Sequence, residues 1–150
     1  MALLAPDRPA VVVLADDLIW ATRLADAARA AGAEVRAARH LAALEAALAS
    51  APALSEARPA FAIVDLTARG YEPLAAIHAA VAAGARVLAV GQHDDHDLRR
   101  AAFAAGAERV LAYRKLHEDG SATIRAWLAA APRQPRSPRP AIRAAGVPTP

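Results

Sequence analysis

Residues 60–66 read AFAIVDL, an apolar run unbroken by a polar side chain until Asp65. A run this continuous suits a strand covered on both faces, which is the condition of a parallel sheet rather than of a half-solvated hairpin. Two similar runs flank it, AVVVLA at residues 10–15 ahead of Asp16-Asp17 and ARVLAVG at 85–91. ERVLAY at 108–113 repeats the pattern, and AEVRAA at 33–38 alternates Val35 with Glu34 and Arg36, as an edge strand does. Helical spacing fills the intervals. LIWATRLADAARAAG (18–32) is expected to turn Leu18, Ile19, Thr22, Leu24 and Ala25 inward and to stop at Gly32. HLAALEAALAS (40–50) sets Leu41, Leu44 and Leu48 on one face, and EPLAAIHAAVAAG (72–84) does the same with Leu74, Ile77 and Val81. QHDDHDLRRAAFAAG (92–106) predicts a polar-fronted helix with Phe103 in the core, and a last helix is expected around 121–130, with Ile124, Trp127 and Leu128 facing inward.

Five strands alternating with five helices predict an α/β fold, a doubly wound parallel sheet with helices on both faces. Right-handed crossovers make the flavodoxin-like (βα)5 order 2-1-3-4-5 the simplest arrangement. The expected domain covers residues 9–131.

The charge balance supports that boundary. The chain has 150 residues with 18 Lys and Arg against 15 Asp and Glu, and four of the Arg fall in residues 132–150, PRQPRSPRPAIRAAGVPTP, which hold no acid. The first 131 residues are therefore close to neutral. Six of the 11 Pro also lie in this tail, too closely spaced for helix or paired strand, so it is expected to be disordered or polyproline-like. The absence of Cys excludes disulfides, thiolate metal sites and Cys nucleophiles, and fits a cytoplasmic setting. Charges interrupt every apolar run well short of a membrane span, and the 4% aromatic content argues against base-stacking nucleic-acid modules. No membrane contact and no direct nucleic-acid contact are expected.

In a doubly wound sheet the functional crevice lies beyond the carboxyl ends of the strands, at the switch in strand order. Strand one ends there in Asp16-Asp17, strand three in Asp65, strand four in Gly91-Gln92-His93 and strand five in Tyr113-Arg114-Lys115. Three converging carboxylates repel unless a proton or cation joins them, which invites a hard divalent ion such as Mg²⁺. A plainer reading makes Asp16 and Asp17 caps of the first helix. Asp65 tips the balance toward a site, because a carboxylate is costly at the end of a buried strand. The His93–Asp97 string, HDDHD, admits a metal-site reading, but an N-cap at Asp94 or Asp95 with acids in the first turn accounts for most of it.

The order VVVLADD, FAIVDL, VLAVG and AAFAAGAERVLAY resembles the receiver domain of two-component response regulators over about residues 9–130. By that resemblance Asp65 aligns with the phospho-accepting aspartate, Asp16 and Asp17 with the acidic pair that binds Mg²⁺, and the Thr67 carbonyl with the main-chain metal ligand. The chemistry implied is nucleophilic attack by the carboxylate on a phosphodonor, with a histidine kinase or an output protein as partner. The departures are local. Gly91 stands where receivers carry Ser or Thr, Val110 where they carry a switching Tyr or Phe, and Tyr113-Arg114 where they carry Lys-Pro. His93, Arg114 and Lys115 are the substitutes available for a phosphoryl pocket beside Gly91.

Two readings of the resemblance stay open: an atypical stand-alone receiver that accepts a phosphoryl group at Asp65, or a pseudo-receiver that binds a partner without phosphorylation. Neither is an enzyme. A small flavodoxin-like enzyme or nucleotide binder is disfavoured by the lack of GxGxxG, Walker and GxSxG motifs.

Overall fold

The structure, a computed structural model, describes residues 8–50 and 59–132, so the tail beyond its first residue lies outside the described residues. Five strands form, β1 (Ala10–Leu14), β2 (Glu34–Ala38), β3 (Phe61–Asp65), β4 (Arg86–Gly91) and β5 (Arg109–Ala112). They pair in parallel in the expected order β2-β1-β3-β4-β5. The helices are α1 (Leu18–Ala30), α2 (Leu41–Ser50), α3 (Pro73–Ala82), α4 (His96–Ala105) and α5 (Tyr113–Ala129).

Strand alternation divides the core in two. Val12, Leu14, Ala62 and Val64 point to one face and pack with Leu44, Ile77 and Ala102 of α2, α3 and α4. Val11, Val13, Phe61 and Ile63 point to the other and pack with Leu24 of α1 and with Leu116, Ile124 and Trp127 of α5. Asp65 ends β3 with the parity of Phe61 and Ile63, which sends its side chain toward α1 and α5. At the opposite end of the sheet Arg86 bonds Glu108 (2.5 Å) and the carbonyl of Ala130 (2.8 Å), tying β4 to the end of α5.

Three helices stop in the same way. Ala-Gly-Ala closes α1 at Gly32, α3 at Gly84 and α4 at Gly106, each glycine at positive φ. The N–H of the following alanine returns to the carbonyl five residues back, as in Ala107 to Ala102 at 3.1 Å. Gly106 is the most constrained, with φ of 118° and with Val81 Cγ2 only 2.8 Å from where a Cβ would stand. Gly106→Ala is expected to lower stability by about 1–2 kcal/mol through the left-handed backbone alone. A lower urea midpoint at unchanged slope is the expected result, and an unmoved midpoint contradicts it.

The structure corrects several expectations. Helix α5 begins at Tyr113 rather than near residue 121, and a single non-helical residue, Asp119 (φ −150°, ψ 37°), separates its first turns from the rest. Leu18 and Ile19 are 68% and 63% exposed, and Leu24, Ala25 and Ala28 are the residues α1 buries. Val81 and Phe103 are surface residues at 41% and 39% exposure. The buried faces are Leu24, Ala25 and Ala28 in α1, Ala76, Ile77 and Ala80 in α3, and Ala102 and Ala105 in α4, and these four side chains lie off them.

Candidate functional site at the end of β3

Asp65 is 1% exposed, the one charged residue among the buried side chains described. A carboxyl group this deep needs hydrogen-bond donors. Three groups supply them at a single oxygen. The N–H of Thr67 donates to Oδ1 at 3.0 Å, the Thr67 hydroxyl at 2.9 Å, and the Tyr113 hydroxyl closes a short bond to the same atom. The two hydroxyl oxygens are themselves 2.5 Å apart. Tyr113 reaches this place because it is the first residue of α5, directly after β5, with its ring buried against α1.

The mouth of the site is aromatic. The ring of Trp20 lies 3.9 Å from that of Tyr113, centroid to centroid, and the Arg23 guanidinium sits 5.1 Å from the Trp20 ring. Beneath them Tyr71 donates to two main-chain carbonyls, Leu14 at 3.0 Å and Asp65 at 2.7 Å, tying the ends of β1 and β3 together. Burial pushes the hydroxyl of Tyr71 far above the usual tyrosine range, with the Asp65 charge adding to it. Tyr113 is raised as well, first by burial and then by its bond to Asp65.

The acidic pair has other employment. Asp16 Oδ2 accepts the N–H groups of Gly70 (2.7 Å) and Arg69 (2.9 Å) and so shapes the loop after β3. The Gly70 N–H, together with that of Arg69, holds the Asp16 carboxyl below its usual range. Asp17 is the N-cap of α1 and accepts the Trp20 N–H at 2.9 Å. Among the described residues no group of three or more His, Cys, Asp or Glu side chains stands close enough to hold a metal ion. Asp16 and Asp17 spend these oxygens on main-chain N–H groups, and the Thr67 N–H and hydroxyl are both taken by Asp65 Oδ1.

The substitutes expected for a phosphoryl pocket do not reach Asp65. Arg114 pairs with Glu118 and Lys115 with Asp119, each at 2.9 Å along the exposed side of α5. His93 is exposed on the loop after β4. Asp95, the N-cap of α4, accepts the Leu98 N–H at 3.0 Å, and His96 is the helix's first residue, which agrees with the capping reading of that string. A Cβ at Gly91 would stand 3.2 Å from Leu66 Cδ1, so the Leu66 side chain occupies the space where the resemblance calls for a hydroxyl.

Two functional groups escaped the sequence reading, the hydroxyls of Tyr71 and Tyr113. The chain has only two tyrosines, and both bond Asp65, one at its carboxylate and one at its main-chain carbonyl. That coincidence, with Tyr113 already placed at the crevice by strand order, was the available signal.

The fold is that of response-regulator receiver domains. A response regulator from Thermotoga maritima matches with a TM-score of 0.67 at 17% identity, over 82% of this chain and 99% of that one. A response regulator from Burkholderia pseudomallei, whose structure holds a phosphorylated aspartic acid, a calcium ion and citrate, matches with 0.58 at 19% identity over 81% and 73%. NtrX from Brucella abortus matches with 0.62 at 17% identity over 80% of this chain and only 28% of NtrX. Comparison of the sequence with protein-family profiles and with curated proteins finds no match. Likeness at these identities is likeness of fold. Among the described residues no helix is long and apolar enough to cross a membrane.

Proposed function

We propose that this chain is a signalling module of receiver fold that recognises a partner protein without phosphorylation of Asp65. The observation that carries this reading is the Tyr113 hydroxyl on Asp65 Oδ1. A phospho-acceptor must present a carboxylate oxygen to an incoming phosphorus, with a cation beside it to hold the phosphoryl oxygens. Here a neutral phenol stands where receivers carry Lys, its ring is stacked under Trp20, and the acidic pair is turned to main-chain N–H groups. The residues at the site serve as structural ties between strand ends, and the module's output is the surface they hold in shape. The reading is of a binding protein rather than an enzyme.

The competing proposal is Mg²⁺ held by Asp16, Asp17, Asp65 and the Thr67 carbonyl, with Asp65 as phospho-acceptor for a histidine kinase. The Burkholderia relative, with its calcium ion and phosphorylated aspartate, is the reason to test it directly. Titration with Mg²⁺ followed by acetyl phosphate or beryllofluoride is read by Trp20 fluorescence and by intact mass, with Asp65→Asn as control. The expected outcome is no saturable Mg²⁺ response and no adduct. An adduct present in the wild type and absent in Asp65→Asn overturns the proposal.

A further inference from the structure

The chain has no Cys, and its side chains most readily oxidised by one electron are two Trp and two Tyr. Loss of an electron makes the proton of a phenol or an indole strongly acidic, so the oxidised state settles where a base is already bonded to that proton. The four residues differ sharply in this respect. Tyr71 donates to the main-chain carbonyls of Leu14 and Asp65, which are far too weakly basic to keep a proton. Trp127 is 1% exposed and its indole N–H has no acceptor. Trp20 has the Arg23 guanidinium 5.1 Å from its ring, a positive charge that opposes a second one on the indole. Tyr113 donates to the Asp65 carboxylate, with the Thr67 hydroxyl 2.5 Å from its phenol oxygen. A path for the electron lies beside it. Tyr113 is only 8% exposed, but its ring lies 3.9 Å from that of Trp20, which is half-buried at the start of α1 beside the exposed Leu18 and Ile19.

We infer that Tyr113 and Trp20 form a one-electron redox site, with Trp20 as the relay, Tyr113 as the seat of the radical and Asp65 as the holder of its proton. The co-reactant is a small diffusing one-electron oxidant that meets the protein at Trp20. The oxidant takes one electron from Trp20, Tyr113 returns one electron to Trp20, and the phenolic proton moves to Asp65 Oδ1 along the bond it already occupies. The products are a neutral phenoxyl radical at Tyr113, a neutral Asp65 carboxyl and an oxidant reduced by one electron. The arrangement selects between the chain's two tyrosines, because both are buried and only the bond partner differs in basicity. This site goes beyond partner recognition and uses no phosphoryl chemistry at Asp65.

The test is laser-flash oxidation of the full chain by photoexcited tris(bipyridyl)ruthenium with a cobalt(III) ammine as electron acceptor. Transient absorption separates the phenoxyl band from the indolyl band, and electron paramagnetic resonance of freeze-trapped samples identifies each radical. In the wild type an indolyl signal is expected to decay into a phenoxyl signal. Tyr113→Phe is expected to leave a lasting indolyl radical, and Trp20→Phe to remove most of the phenoxyl yield. In Asp65→Asn the hydrogen bond has an amide oxygen but no base, so phenoxyl formation is expected to slow by about tenfold or more. Circular dichroism verifies the fold of each variant. Trp20→Phe keeps an aromatic ring against Tyr113 at a half-buried position, so it decides the relay even if Asp65→Asn unfolds. A phenoxyl signal that survives in Tyr113→Phe would place the radical on Tyr71 and overturn the inference. A lasting indolyl radical in the wild type, an equal phenoxyl rate in Asp65→Asn, or no protein radical at all overturns it too. The two proposals fail separately: a phosphoryl adduct on Asp65 overturns the proposed function alone, and a negative flash result overturns the redox site alone.

Discussion

Tyr113→Phe is expected to destabilise the protein by about 2–3 kcal/mol while leaving the shape of the Asp65 pocket in place. The substitution removes one oxygen and keeps the ring, so the stack with Trp20 at 3.9 Å and the packing against α1 persist. What changes is at Asp65, which loses one of the three donors on Oδ1 and keeps only those of Thr67. Hydrogen bonds to a carboxylate contribute more than neutral ones, about 1.5–3 kcal/mol, and water cannot easily replace the lost donor at a residue 1% exposed. Chemical denaturation measures the loss, and Trp20 emission reports whether the stack survives. A midpoint equal to that of the wild type would mean that Tyr113 merely lies against Asp65, and would remove the central support for a structural role of this carboxylate. Tyr113→Lys is the informative companion, since it exchanges the stacked plug for a flexible cation. If the phenol is what closes the site, beryllofluoride should perturb Trp20 in Tyr113→Lys and not in the wild type.

The sheet was legible because its central strands are buried on both faces, and continuous apolar runs such as AVVVLA and AFAIVDL have no reading as amphipathic helices. The Ala-Gly-Ala stops were legible for a local reason, since glycine accepts the positive φ that closes these helices. The start of α5 was hidden by glycine used differently. Tyr113, Leu116, Gly120, Ile124 and Trp127 form one buried helical face, but Gly120 in the string HEDG reads as a break. It lies on that face because its neighbours leave no room: a Cβ there would stand 2.9 Å from Leu116 Cδ1, with Ala27 of α1 just beyond at 3.7 Å. The glycine at 106 ends a helix, and the one at 120 lets two helices approach.

The candidate site was legible in position and not in hydrogen bonding. Strand order alone brings Asp16, Asp17, Asp65 and Tyr113 to the same end of the sheet. Spacing cannot say which group a carboxylate will choose, and here main-chain N–H groups take Asp16 and Asp17. For Asp16 the choice is set by the loop from Leu66 to Glu72, where a Cβ at Gly70 would stand 3.1 Å from Asp16 Oδ2, so a larger residue at 70 would push the loop off Asp16.

Raising the pH is expected to unfold this protein through its two tyrosines. Both lie at the Asp65 pocket, and both are under 10% exposed. In each the phenol is held far above its ordinary pKa of about 10, mainly by burial and further by the nearby Asp65 carboxylate. The sign follows from linkage. The unfolded chain releases the two protons near pH 10 and the folded chain does not, so the stability they contribute is complete below pH 10 and falls as the pH rises above it. The slope is at most about 1.4 kcal/mol per pH unit for each tyrosine. Two units above pH 10 are then enough to consume a large part of the roughly 5–15 kcal/mol that holds a domain folded. Absorbance at 295 nm should stay flat through pH 10 and then rise in a single cooperative step together with loss of the helical signal. In Tyr113→Phe the step keeps its cooperativity and the slope falls by about half. A smooth tyrosinate titration near pH 10 with the fold intact would place the hydroxyls in contact with water, and the closed pocket on which the proposed function depends would not exist.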